Sequence, residues 1–158
     1  MERQVPFTGH LVFIGFGSIA RATLPLLLRQ DHVVVKQITV IAPVIDQNIW
    51  FKERGIRFVR KALTRQTYAQ TLDRVVKRGD FIVNLSVEVS SLELMAYAFE
   101  KGALYLDTCV EPWAGGYDDP HLDLSHRTNY ACAIRCWTCK KGWVKARRRW
   151  WPMAPIPV

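Results

Sequence analysis

A chain of 158 residues that is 49% hydrophobic is large enough for one domain with a real core, too short for two full ones, and too apolar to be disordered. The net charge of +8 is unevenly spread: residues 1–130 hold 15 Lys and Arg against 14 Asp and Glu, whereas residues 131–158 hold 7 basic residues and no acid. The basicity therefore belongs to the tail, and a nearly neutral body gives no reason to expect a specific nucleic-acid partner. No run approaches the roughly 18 apolar residues needed to cross a bilayer, so membrane insertion is not expected. The start, Met1 to Pro6, carries an acid and no apolar core, so no secretory signal is expected and the cytoplasm is the default location.

Taken in chain order, His10–Ile14 (HLVFI) is a short apolar strand before a glycine turn. Ser18–Leu28 follows as a helix, with Ile19, Ala22, Leu26 and Leu27 toward a sheet and Pro25 placed to kink it. Gln37–Ala42 is the second strand, β-branched and ended by Pro43, and Ile56–Val59 is the third. Thr64 caps a helix over Gln66–Lys77 with Tyr68, Leu72, Val75 and Val76 on one face. Asp80–Leu85 is the fourth strand. Ser90 or Ser91 caps the next helix, whose apolar stripe is Leu92, Met95, Ala96 and Phe99. Gly102 ends that helix, and Ala103–Asp107 is the fifth strand. Short apolar strands alternating with amphipathic helices specify an α/β fold: a doubly wound parallel sheet with helices on both faces and right-handed crossovers.

Gly15-Phe16-Gly17-Ser18-Ile19-Ala20 matches G-x-G-x-x-G/A directly after the first strand and at the opening of the first helix. Gly15 permits the tight turn, Gly17 lets the backbone approach a pyrophosphate, Ala20 lets helix and strand sit close, and Ser18 offers a hydroxyl. The phosphates would meet the unpaired N–H groups and positive dipole of the first helical turn. The motif in this setting reads as a Rossmann-type NAD-binding domain, incomplete at its C-terminal side; the bland alternative is a structural turn in another α/β protein. The acid that binds the ribose should close the second strand, but the first one present is Asp46, which either reaches the adenosine 2′-hydroxyl or is simply solvated. No basic residue lies between Ile38 and Ile49 to meet a 2′-phosphate, so NAD is expected over NADP.

Ligands of such sheets lie beyond the carboxyl ends of the strands. After the fourth strand come Asn84, Ser86 and Glu88; after the fifth come Asp107, Thr108, Cys109, Glu111 and Trp113. Asn84 and Ser86 suit hydrogen bonds to cofactor ribose or amide groups. Glu88 and Glu111 suit a cationic substrate, and the Trp113 ring suits an ammonium. Each has a plainer reading: Asn84 as a turn or cap, the two Glu as surface acids, Trp113 as packing, Asp107 as an acceptor for local backbone. No Ser-His-Asp arrangement is legible, and no catalytic residue is assigned.

The segments HLVFIGFGSIARATLPLLL, VNLSVEVSSLELMAYAFEKGALYLDTCVEPWAGGYDDP and LSHRTNYA resemble the amino-terminal part of bacterial homospermidine synthase, a saccharopine dehydrogenase-like enzyme, from about Val5 to Ala131. The resemblance implies a tightly bound NAD that takes hydride from putrescine and returns it once an imine has formed with a second diamine, a transferase reaction of polyamine biosynthesis with no net redox change. It implies that Gly15, Gly17, Ser18 and Ala20 hold the pyrophosphate, that Asn84, Ser86 and Thr108 line the nicotinamide side, and that Glu88 and Glu111 correspond to acids near the polyamine entrance. Glu88 stands where relatives are expected to carry Asp. The full-length enzyme would be about three times as long and a homodimer, with a second domain supplying most of the pocket, so this chain alone is expected to be inactive. A saccharopine dehydrogenase-like NAD(P) oxidoreductase and a non-catalytic NAD-binding module are the alternatives.

Residues 1–131 thus read as a truncated NAD-binding domain and 132–158 as a basic Trp/Cys-rich tail. Three of the four Cys and four of the six Trp fall in that tail, which closes with three prolines. Cys132, Cys136 and Cys139 have the spacing of the cluster-binding triad of radical S-adenosylmethionine enzymes. Those enzymes place the triad early in a large barrel, however, and no His or acid follows Cys139 to complete a zinc site, so no metal is expected. The run from Lys145 to Trp151 would cling to nucleic acid or anionic membrane without that being its function. The break in composition is expected to mark translation in a different reading frame.

Overall fold

The computed structural model describes residues 7–30, 35–44 and 48–138. Five strands form one parallel sheet: β1 (Leu11–Ile14), β2 (Ile38–Ala42), β3 (Arg57–Arg60), β4 (Phe81–Asn84) and β5 (Leu104–Asp107), in the order β3-β2-β1-β4-β5. Between them lie α1 (Ser18–Leu27), α2 (Asn48–Glu53), α3 (Tyr68–Leu72) and α4 (Ser91–Lys101), with a 3₁₀ turn at Val35–Gln37; after β5 come a 3₁₀ turn at Leu124–His126 and a further helix over 129–138. Because every pairing is parallel, all five strands end on the same edge. In register, Ile14 stands beside Ile41 on one side and Asn84 on the other, and Asn84 stands beside Asp107. The chain runs outward from β1 to β3 and resumes on the far side of β1 with β4. That reversal opens a crevice between the loops that leave β1 and β4.

Two apolar layers hold the sheet. Phe13, Ala20, Leu24, Val40 and Phe51 pack under α1 and α2, and Ile14, Ile41, Leu72, Ile82, Leu94 and Tyr97 pack under α3 and α4. β2 is buried along all five residues, as a strand covered on both faces must be. Asp80, 3% exposed at the start of β4, accepts the backbone N–H groups of His10 at 2.9 Å and Lys77 at 2.7 Å, tying the entrance of β1 to the loop before β4.

The helices depart from the sequence reading in phase and length. On α1 the inward residues are Ala20 and Leu24, with Leu27 and Leu28 packed beside them, whereas Ile19 and Leu26 are half exposed. The phase is set by Ala20, which must lie flat against the sheet as the chain leaves the glycine turn. Pro25 is carried inside α1, and Leu28 still donates to the Leu24 carbonyl. The expected helix over Gln66–Lys77 contracts to α3, with turns on either side. Thr64 is not its cap: its hydroxyl meets that of Thr67, which holds the N-cap position without its side chain bonding to a backbone N–H of the helix. α2 was not expected at all; its anchor, Phe51, is 1% exposed.

On α4, Ser90 is the cap and accepts from the Glu93 N–H, the first half of a capping box. The buried face is Ser91, Leu94, Tyr97 and Ala98, and the expected stripe of Leu92, Met95, Ala96 and Phe99 is only half buried. Ser91 sets this phase. Its hydroxyl donates to the Cys109 carbonyl and accepts from the Glu111 N–H, while its own N–H donates to the Glu111 carbonyl. Gly102 ends the helix at φ +68°, as expected.

Candidate functional site

The glycine turn enters the crevice at its centre. Gly15 has φ +90°, and a Cβ on it would lie 2.8 Å from both the Cα and the backbone N of Ser86. It also donates its N–H to the Ile41 carbonyl at 2.8 Å, so one residue ties together the ends of β1, β2 and β4. Gly17 is the opposite case. It is the N-cap of α1, exposed, and a Cβ there would find no atom within 4 Å. No side chain caps the helix and no acid stands in its first turn, so the first N–H groups of α1 face open space with the positive end of the helix behind them. Ser18 is exposed beside them and Ala20 is fully buried. Free donors, positive potential and room beside Gly17 fit a diphosphate. The four motif residues are brought together as the spacing required.

Asn84 and Ser86 form the facing wall. Asn84 is 1% exposed, and its Oδ1 accepts from the Ser86 hydroxyl at 2.6 Å and from the Ser86 N–H at 3.3 Å. Behind it, the Tyr105 hydroxyl lies 3.4 Å from Asn84 Nδ2 and donates to Asp107 Oδ2 at 3.0 Å. Burial first, then the Asp107 carboxylate, push the Tyr105 phenol far above its ordinary range, although the neighbouring Ser91 and Asn84 side chains oppose the shift. Asp107 therefore serves a side chain rather than the local backbone. Tyr105 is the residue that the sequence reading missed, because a tyrosine in a strand gives no signal beyond packing. Thr108 is exposed at the end of β5, and Asp46 lies outside the described residues.

The acids separate. Glu88 is exposed and lines a cleft of about 740 Å³ together with Trp113, Asp118, Asp119, Arg65 and Arg135. Glu111 is half buried, does not line that cleft, and is held through its backbone by Ser91. Trp113 is 8% exposed, with its ring packed 5.4 Å from that of Tyr68. It is a wall of the cleft and part of the core. Cys109 is exposed, and partial loss of hydration first and the neighbouring Glu111 next push its thiol pKa up. Asn129, at the head of the 129–138 helix, donates to the Val110 carbonyl and reaches Tyr117 Oη at 3.4 Å, fastening that helix to the loop after β5.

The sequence matches the family model of the saccharopine dehydrogenase NADP-binding domain over residues 11–148. The chain belongs to that family. Within it, this saccharopine dehydrogenase-type domain is 46% identical over 126 residues to the homospermidine synthase of Blastochloris viridis, covering 78% of this chain and 26% of that protein. It is 44% identical over 127 residues to the homospermidine synthase of Mesorhizobium japonicum, with the same coverages. It also superimposes on the crystal structure of the homospermidine synthase of Legionella pneumophila in complex with NAD, with a TM-score of 0.65 and 29% identity over 70% of this chain and 24% of that one. The chain spans about a quarter of the length of the relatives it matches. The parallel five-stranded sheet is a Rossmann-type NAD(P)-binding fold.

In this saccharopine dehydrogenase-type domain, Glu88 is the one described non-glycine residue in the left-handed region, at φ +58°. Asn and Asp adopt that conformation far more readily than Glu, and β-branched residues hardly at all. Glu88→Asn should raise the urea midpoint by an amount equivalent to a few tenths of a kcal/mol, up to about 1 kcal/mol, and Glu88→Val should lower it. Equal midpoints for the two variants would contradict the geometry.

Proposed function

We propose that this chain is the cofactor-binding portion of a homospermidine synthase and that it holds NAD across the crevice between the loops of β1 and β4. The observation that carries the reading is the pairing of opposite requirements in one turn: Gly15 is closed in by Ser86, while Gly17 opens onto an uncapped helix N-terminus. Family membership and the NAD complex of the Legionella pneumophila homospermidine synthase support it. Gly15, Gly17, Ser18 and Ala20 frame the diphosphate, and Asn84, Ser86 and Thr108 border the nicotinamide half. Bound there, NAD would supply reversible hydride acceptance: loss of hydride turns one putrescine amine into an imine, a second diamine displaces ammonia from that carbon, and the returned hydride gives the secondary amine without net redox change. Glu88, with Asp118 and Asp119 along the cleft, lowers the cost of bringing in a doubly charged diamine, Trp113 closes the inner side of that cleft, and Glu111 adds negative charge behind the β5 loop.

One observation favours NADP as a second reading. Arg60 pairs in register with Ala42, and Lys61 donates its backbone N–H to the Ala42 carbonyl, which places two basic residues, the last of β3 and the one after it, beside the end of β2. Sequence windows around β2 alone do not show them. Calorimetric titration of the purified chain against both cofactors decides the matter. NAD is expected to bind more tightly; tighter NADP binding that is lost in Arg60→Ala would establish the second reading instead. The same preparation, given putrescine and NAD, should form no homospermidine by mass spectrometry, because one domain builds one wall of a site that needs a closed pocket.

We further propose that residues 132–158 are translated out of the frame of the body. Composition supports this: the acids cease while Trp, Cys and Arg accumulate. The family match and the 129–138 helix both continue across residue 131, and most of the tail lies outside the described residues. Translation of the other two forward frames beyond codon 131 should reveal a long open frame with strand and helix periodicity. Two frames that close at once would end the idea.

A further inference from the structure

Asn84 is buried, ends β4, and touches Ser86 on one side and Tyr105 on the other. The orientation of its amide follows from a single group. The Ser86 backbone N–H, 3.3 Å away, can only donate, so the atom facing it must be Oδ1 and the amide nitrogen must face Tyr105. Nδ2 can only donate, so the Tyr105 oxygen receives it and the single phenolic proton goes to Asp107 Oδ2. On the other side, Oδ1 has no proton, so the Ser86 hydroxyl must donate at 2.6 Å. The whole row is directed, from Ser86 through Asn84 and Tyr105 to Asp107. With its proton committed inward, Ser86 presents only lone pairs outward, at the place where its backbone closes on Gly15.

We infer that Tyr105, anchored by Asp107, is a positioning residue that holds the Asn84 amide so that Ser86 meets the nicotinamide half of the dinucleotide as a hydrogen-bond acceptor. The inference rests on the reading of the glycine turn as a dinucleotide site. It adds a direction to that site: the ligand group beside Ser86 must be a donor, as a ribose hydroxyl or a carboxamide NH₂ is. Without the Tyr105 oxygen, the Asn84 amide still turns its Oδ1 to the Ser86 N–H but loses the acceptor that holds its Nδ2, so the amide, and with it the Ser86 hydroxyl, is held less firmly in place.

The test compares NAD with ADP, which keeps the adenosine and both phosphates but lacks the nicotinamide riboside, by calorimetric titration of the full chain. Tyr105→Phe should weaken NAD by about three- to tenfold, the scale of one hydrogen bond, and leave ADP within about twofold. Ser86→Ala should lose NAD affinity to a similar degree, and the double variant should lose little more than either single one. Asp107→Asn, whose amide oxygen can still accept from Tyr105, should stay near wild type, while Asp107→Ala should behave like Tyr105→Phe. If Tyr105→Phe fails to fold by circular dichroism, the Asp107 pair and Ser86→Ala carry the same comparison. Equal weakening of NAD and ADP, or additive losses, would overturn the positioning role and leave the dinucleotide site standing. A wild-type chain that binds neither NAD nor ADP would overturn the site and the inference together.

Discussion

The closeness of two backbones governs this fold. Where β1 ends, Gly15 lies so near the start of the β4 loop that even a methyl group would sit 2.8 Å from the Ser86 backbone. That contact requires φ +90° at Gly15 and turns the chain sharply into α1. It also determines the phase of the helix, since Ala20 must then lie flat on the sheet. It fixes the wall opposite as well, because Ser86 is held between Gly15 and the Asn84 amide. A crevice with donors on the helix side and a row of hydrogen bonds on the strand side is the result.

The same domain leaves surface that its described residues do not cover. β5 is the last strand in the sheet order, and Leu104 and Leu106 on one of its faces are each about half exposed. Ile19 and Leu26 on α1 are exposed to a similar degree. Bare strand edges and apolar side chains in water favour self-association.

Much of this architecture was legible in the sequence. All five strands fall within a residue of their expected bounds, because each is a short apolar run with a turn signal at its end. The glycine motif was legible because its spacing and its setting agreed. The helix faces were not: α1 and α4 are apolar on more than one side, and hydropathy cannot choose among several apolar stripes. Tertiary contacts chose instead, through Ala20 on the glycine turn and Ser91 on the β5 loop. α2 was missed because six residues are too few to show a period. Among the candidate site residues, Glu88 and Trp113 share a cleft that Glu111 does not line, a separation set by the path of the loop after β5. Tyr105 was invisible for a different reason: its role depends on strand neighbours 21 residues apart in sequence.

Thermal unfolding of two alanine variants, each with and without NAD, bears most directly on the central claim. Gly15→Ala combines a left-handed backbone with a backbone clash and should melt about 4–10 °C below wild type in the absence of ligand. Gly17→Ala meets no atom within 4 Å and should melt close to wild type, yet it should lose the upward shift that NAD produces, because its methyl group occupies the space for the diphosphate. A Gly17→Ala chain that keeps the full NAD shift, or a Gly15→Ala chain that melts with wild type, would contradict the account.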